Sequence, residues 1–70
     1  MQDVWKRYRR LGVTEMRPYV PGESLEGISV SGTDTPAVGG MIARNPTNYD
    51  DQWYVNAAYF QAHMEEVDDA

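Results

Sequence analysis

Cysteine is absent from this 70-residue chain and histidine occurs once, as His63. Without cysteine there is no disulfide framework, no thiolate zinc site and no cysteine nucleophile. A single histidine excludes a multi-histidine metal centre. Long apolar runs are missing too. No stretch approaches the about 20 apolar residues that a membrane-spanning helix needs, and the first residues lack the apolar centre of a signal peptide. Large side chains for a core are scarce, with one phenylalanine and two tryptophans. A domain this small buries only about 60% of the surface its unfolded chain exposes. The expectation is one small cytosolic domain over residues 1–70, with no membrane partner and with homo-oligomerisation supplementing a marginal core.

Charge is present but segregated. Residues 1–17 hold Lys6, Arg7, Arg9, Arg10 and Arg17 against Asp3 and Glu15, whereas residues 18–70 hold Arg44 against nine acids, for a net charge of -5. A basic head (residues 1–10) on an acidic body can steer a second copy or a partner. Solvation alone also accounts for such runs, because exposed charges contribute little. Trp5, Lys6, Arg7, Tyr8, Arg9 and Arg10 interleave aromatic and basic side chains, as single-stranded nucleic acid binders do. The acidic balance of the whole opposes phosphate binding and argues against a nucleic-acid partner.

The fold class expected is α+β: a small antiparallel sheet of three or four strands with a short helical turn near residues 56–61. Met1 to Leu11 reads as a short helix, with Asp3 as N-cap and Val4, Tyr8 and Leu11 at helical spacing; an extended Tyr8 to Leu11 competes with it. Val13 to Tyr19 has strand character, and Pro18 confines that stretch to a sheet edge or a strand end. Pro21-Gly22 makes a turn. Ile28 to Ser31 alternates apolar and polar as a half-buried strand does. Met41 to Asn45 and Asp51 to Val55 form an antiparallel hairpin across Pro46 to Asp50, with Met41 and Ala43 facing Trp53 and Val55. Asn56 caps the following helical turn. Residues 61–67 suit either helix or strand, and the acidic tail at 65–70 is expected to fray.

Signatures of chemistry are thin. Ser29 or Ser31 with His63 and an acid makes a triad only on paper, because no Gly-x-Ser-x-Gly elbow accompanies the serine. Asp50-Asp51 and Glu65-Glu66 are adjacent acids, which on a strand point to opposite faces and do not converge on a metal. Gly39-Gly40 lacks the rest of a phosphate-binding loop. No enzyme, cofactor or metal is expected. The richer constellation flanks the hairpin: Arg17, Arg44, Asn45, Tyr49, Gln52 and Tyr54 are planar hydrogen-bonding or aromatic side chains. Such residues suit a protein hot spot or a nucleotide-like ligand. They serve equally to build a core and satisfy loop backbone.

The segments Tyr8-Arg9-Arg10-Leu11-Gly12, Thr14-Glu15-Met16-Arg17-Pro18-Tyr19, Gly40-Met41-Ile42-Ala43-Arg44-Asn45-Pro46 and Asp51-Gln52-Trp53-Tyr54-Val55, followed by Tyr59-Phe60, together resemble a family of small accessory proteins encoded by tailed bacteriophages. More distantly, the layout is similar to a second small phage family that opens with a Tyr-Arg-Lys-Lys-Pro strand. That family continues into a hairpin and ends in a short aromatic helical turn. Neither resemblance carries over a catalytic residue. What it implies is a non-virion accessory protein acting in the cytoplasm of a bacterial host. By analogy of class, such a protein binds and inhibits a host protein or defence complex. The alternatives are a sponge for a small nucleotide signal and a small nucleic-acid-binding regulator using the basic head.

Overall fold

The computed structural model describes residues 5–9 and 12–67. Strands β1 (Lys6–Arg9), β2 (Val13–Pro18), β3 (Ile28–Ser29), β4 (Met41–Asn45) and β5 (Asn48–Val55) are followed by helix α1 (Ala57–His63) and strand β6 (Glu65–Glu66). They form one six-stranded sheet in the order β3-β5-β4-β2-β1-β6. All neighbours are antiparallel except β3, which runs parallel to β5.

The α+β expectation of three or four antiparallel strands is therefore corrected to a mostly-sheet fold, a single mixed sheet with one short helix. β3 falls within the strand expected over Ile28 to Ser31; the strands added are β1 and β6, of four and two residues, too short to show a period. Residues 6–9 are strand rather than helix because a helix this short gains little alone. As a strand it pairs with β2 from Lys6↔Met16 to Arg9↔Val13. Asp3, Val4 and Leu11, on which part of the helix expectation rested, lie outside the described residues, as do Arg10 of the basic head and residues 68–70 of the tail. Glu65 and Glu66 are ordered as β6 rather than frayed, paired with Arg9 and Tyr8.

The hairpin forms with the expected face: Met41 pairs with Val55 and Ala43 with Trp53. Its turn is tighter than expected, since β5 already begins at Asn48. The Asn45 carboxamide oxygen accepts from the Thr47 amide at 2.9 Å and the Thr47 hydroxyl at 2.8 Å, a local turn that suits asparagine. Pro18 ends β2, so its missing donor costs no ladder bond. At Pro21-Gly22 the Glu23 amide donates to the Val20 carbonyl at 3.0 Å and Gly22 takes a φ of 90°; proline then glycine at the central positions specify this turn.

β4 lies between β5 and β2, and both its faces are covered. On one face Met16, Met41, Ala43 and Val55 are buried, with Tyr8, Trp53, Phe60 and Met64 packed against them. The Tyr8 and Phe60 rings meet edge to face at 5.1 Å. α1 reaches that face because Asn56 stops the strand and caps the helix, its side-chain oxygen accepting from the Tyr59 amide at 2.7 Å. On the other face Ile42 is fully buried and Tyr54 nearly so. The cover there is irregular chain: Tyr19 meets Tyr54 at 5.9 Å between ring centroids, and the Ala37 amide donates to the Tyr54 hydroxyl at 3.2 Å.

Gly40 is where that cover descends onto the sheet. A Cβ there would lie 2.6 Å from Cε1 and Cζ of Tyr54, closer than atoms pack. Gly40→Ala is expected to cost about 1–3 kcal/mol, as overpacking does. Gly32→Ala, where a Cβ meets nothing within 4 Å, should stay within about 0.5 kcal/mol. Urea midpoints of the two variants with unchanged slopes would check this.

Candidate functional site

Alternation along β2 and β4 places Glu15, Arg17, Ile42 and Arg44 on the face opposite α1, with Glu15 paired to Arg44 and Arg17 to Ile42. Trp5, just before β1, comes onto the same face. The Arg44 guanidinium carbon sits 4.1 Å from the centroid of the Trp5 ring and 3.6 Å from that of Tyr49. Its Nε donates to Glu15 Oε1 at 2.7 Å. Arg17 stands 5.4 Å from the Trp5 centroid. It donates to both Glu23 carboxylate oxygens, at 2.8 and 2.6 Å. The result is an aromatic-guanidinium-aromatic stack flanked by a two-pronged ion pair.

Strict alternation back from Trp53 would place Tyr49 on the α1 face. A register shift prevents this: Arg44 pairs with Gln52 and the next residue, Asn45, with Asn48. Residues 49–51 therefore bulge, and a bulge re-aims side chains. Gln52 steadies it by donating to the Tyr49 carbonyl at 2.9 Å, and Asp50 donates its amide to the Asn48 side chain at 3.2 Å. Tyr49 remains 53% exposed while covering Arg44.

Electrostatically the two arginines are satisfied within the chain. Both ion pairs are largely buried, with side-chain exposures between 13% and 20%. The hydrogen bonds from Arg17 hold the Glu23 carboxyl below its usual value, with burial opposing and the Val20 amide assisting; the Arg17 guanidinium is raised by the same bond. Tyr8 is raised by burial first and then by the nearby Glu66 charge.

Of the residues expected to bind, Arg17, Arg44, Tyr49 and Gln52 come together on this face. Tyr54 belongs to the same face but lies beneath the loop cover, 6% exposed, where it supports rather than presents. Asn45 is committed to its turn. In the basic head, Lys6 lies 3.9 Å from Glu66 and Arg9 3.2 Å from Glu65; Arg10 is outside the described residues. Trp5, Glu15 and Glu23 were not singled out in the sequence as members of this face. Glu15 was within reach, because it flanks Met16 on β2 and so faces away from the core.

On the α1 side a groove of about 270 Å³ runs along the sheet, lined by Val13, Met16, Trp53, Val55, Tyr59 and Met64. A second hollow of about 260 Å³ lies where Asp34 meets Asn56 and Tyr59; there Asn56 donates to Asp34 at 3.1 Å. His63 sits against Tyr59, ring centroids 4.6 Å apart, and the Ser31 hydroxyl shares a 3.1 Å hydrogen bond with Thr33. Among the described residues no group of three or more His, Asp or Glu side chains could hold a metal. No helix among them is long and apolar enough to cross a membrane. Comparison of the chain with protein-family models, curated proteins and solved structures finds no match in any of the three.

Because Glu23 has a lower pKa folded than unfolded, its pair with Arg17 stabilises the fold above the unfolded carboxyl value, about 4.3. That contribution is lost as pH falls through the lower folded value. Glu23→Gln should therefore destabilise at pH 7, and its deficit should shrink as pH falls below the unfolded carboxyl value; denaturation midpoints measured from pH 7 downwards would check it. Arg44→Lys keeps the charge but loses the planar stack, and should cost about 1–2 kcal/mol by the same assay.

Proposed function

We propose that the chain is a non-enzymatic binding protein that occupies the surface of a host protein, as an inhibitory phage accessory protein would. The observation that carries this reading is the Trp5-Arg44-Tyr49 stack, held against the sheet with Tyr49 half exposed. Tryptophan, tyrosine and arginine dominate binding hot spots, and a stack already in place pays no further ordering cost on association. A nucleotide sponge would need a concave site enclosing most of its ligand, whereas Trp5 and Tyr49 fill the space around Arg44 with one another. A nucleic-acid regulator would need phosphate-seeking cations, and Lys6 and Arg9 face Glu66 and Glu65.

The reading places the protein in the cytoplasm of a bacterial host. Homo-oligomerisation stays within it through the open apolar groove beside α1 rather than through charge asymmetry. A folded monomer in sedimentation at micromolar concentration would remove that part. The main test is capture from nuclease-treated bacterial lysate on the tagged chain and on Tyr49→Ala. A protein held at fixed stoichiometry by the first and at least tenfold more weakly by the second supports the proposal. Capture indifferent to Tyr49 overturns it. So does a bound species of only a few hundred daltons by native mass spectrometry, which would favour the sponge.

A further inference from the structure

Among the described residues three acids are half-buried rather than exposed: Glu15, Glu23 and Asp34. The fold gives each of the first two a guanidinium, Arg44 at 2.7 Å from Glu15 and Arg17 at 2.6 Å from Glu23. No ion pair among the described residues reaches Asp34. A carboxylate drawn out of water without a cation is the costly arrangement of the three. Its place is nonetheless closely fixed. The Asp34 amide donates to the Ser31 carbonyl at 3.0 Å, and Oδ1 accepts from the Asn56 side chain at 3.1 Å. Asn56 is itself held, because its own oxygen caps α1 through the Tyr59 amide at 2.7 Å. Asp34 Oδ2 takes part in no hydrogen bond among the described residues.

This carboxylate lines the hollow of about 260 Å³ at the start of α1, together with Trp53, Asn56 and Tyr59. Trp5 already carries Arg44 over its ring, whereas no cation among the described residues stands over Trp53. Tyr59 is the outer wall, 41% exposed. A carboxylate and aromatic side chains around one hollow suit a cation, which the acid attracts by charge and the rings by their quadrupole. The chain's own cations are engaged elsewhere: Lys6, Arg9, Arg17 and Arg44 each face a glutamate, and Arg7 lies on β1, separated from β5 by β2 and β4.

We infer that this hollow receives an arginine side chain of the partner protein, its guanidinium paired with Asp34 and laid against the wall formed by Trp53 and Tyr59. Arginine rather than lysine follows from shape. A flat guanidinium donates from its edge to a carboxylate while its face rests on a ring, as the chain itself arranges with Glu15, Arg44 and Trp5. The acidic balance of residues 18–70, one arginine against nine acids, draws such a group in. The inference rests on the protein-binding reading for the source of the arginine. It adds a second contact at the opposite end of β5 from Tyr49.

Acetyl-glycyl-arginyl-glycinamide, titrated into the nitrogen-15-labelled full chain and followed by heteronuclear NMR, tests it. The Trp53 indole and Asn56 carboxamide signals should shift saturably, with a dissociation constant of roughly 1–10 mM for one anchoring side chain. The Trp5 indole should not move. The same peptide with citrulline, which keeps the shape and loses the charge, should bind at least tenfold more weakly. Asp34→Asn should weaken the arginine peptide equally, since an asparagine oxygen still accepts from Asn56 and preserves the hollow. Should that variant not fold, Tyr59→Leu, which keeps an apolar wall without a ring face, should weaken binding at least threefold. Equal binding of the arginine and citrulline peptides, indifference to Asp34→Asn, or shifts centred on Trp5 would each overturn the inference. A lysine peptide binding as tightly would overturn the assignment to arginine, and choline binding where the arginine peptide does not would make the hollow a small-molecule site. Tyr49→Ala should leave the titration unchanged. Failure of the titration with Tyr49-dependent capture intact overturns the hollow alone, and failure of capture overturns the broader reading.

Discussion

The structure depends on the burial of one strand on both faces. Ile42 and Ala43 are neighbours in β4 pointing opposite ways, and both are fully excluded from solvent. A single sheet cannot achieve this unaided; each face needs a layer. With so few residues the chain supplies two unlike layers: α1 with Phe60 and Met64 on one side, and the irregular segment around Tyr19, Ala37 and Gly40 on the other. The hydrogen-bond ladders to β2 and β5 hold β4 in place, and every other element is positioned relative to it.

That constraint shapes the candidate site. Because the loop cover reaches only as far as Ile42 and Tyr54, the remainder of the same face, from Arg44 towards the hairpin tip, needs another cover. Trp5 from one direction and the bulged Tyr49 from the other provide it, with Arg44 between them. The guanidinium suits this place because its flat faces stack on rings while its edge still donates to Glu15. A lysine ammonium has no flat face to offer. The cover is thus both a structural lid and the most organised aromatic surface among the described residues.

The charge segregation along the chain is resolved inside the fold. The basic head becomes β1 and part of the acidic tail becomes β6, and the two lie side by side. Opposite charges at the ends of a short chain favour that meeting, since the loss of chain entropy in closing it grows only slowly with length. What reads in the sequence as two potentials for outside partners is, among the described residues, a pairing of β1 with β6 whose ion pairs stay exposed.

The sequence by itself determined the hairpin, its buried face, the cap at Asn56, the turn at Pro21-Gly22 and the strand end at Pro18. All of these follow from local rules: alternation with a period of two, glycine's access to positive φ, proline's missing donor and asparagine's short carboxamide. The candidate site was legible in part, since Arg17, Arg44, Tyr49 and Gln52 do share a face. Only the tertiary structure decided that Tyr54 lies under that face, that Trp5 completes it, that Glu15 and Glu23 take up the arginines, and that residues 6–9 and 65–66 are strands. Those outcomes depend on which distant segments pair. A four-residue or two-residue strand carries too little periodicity to announce a partner that lies at the other end of the chain.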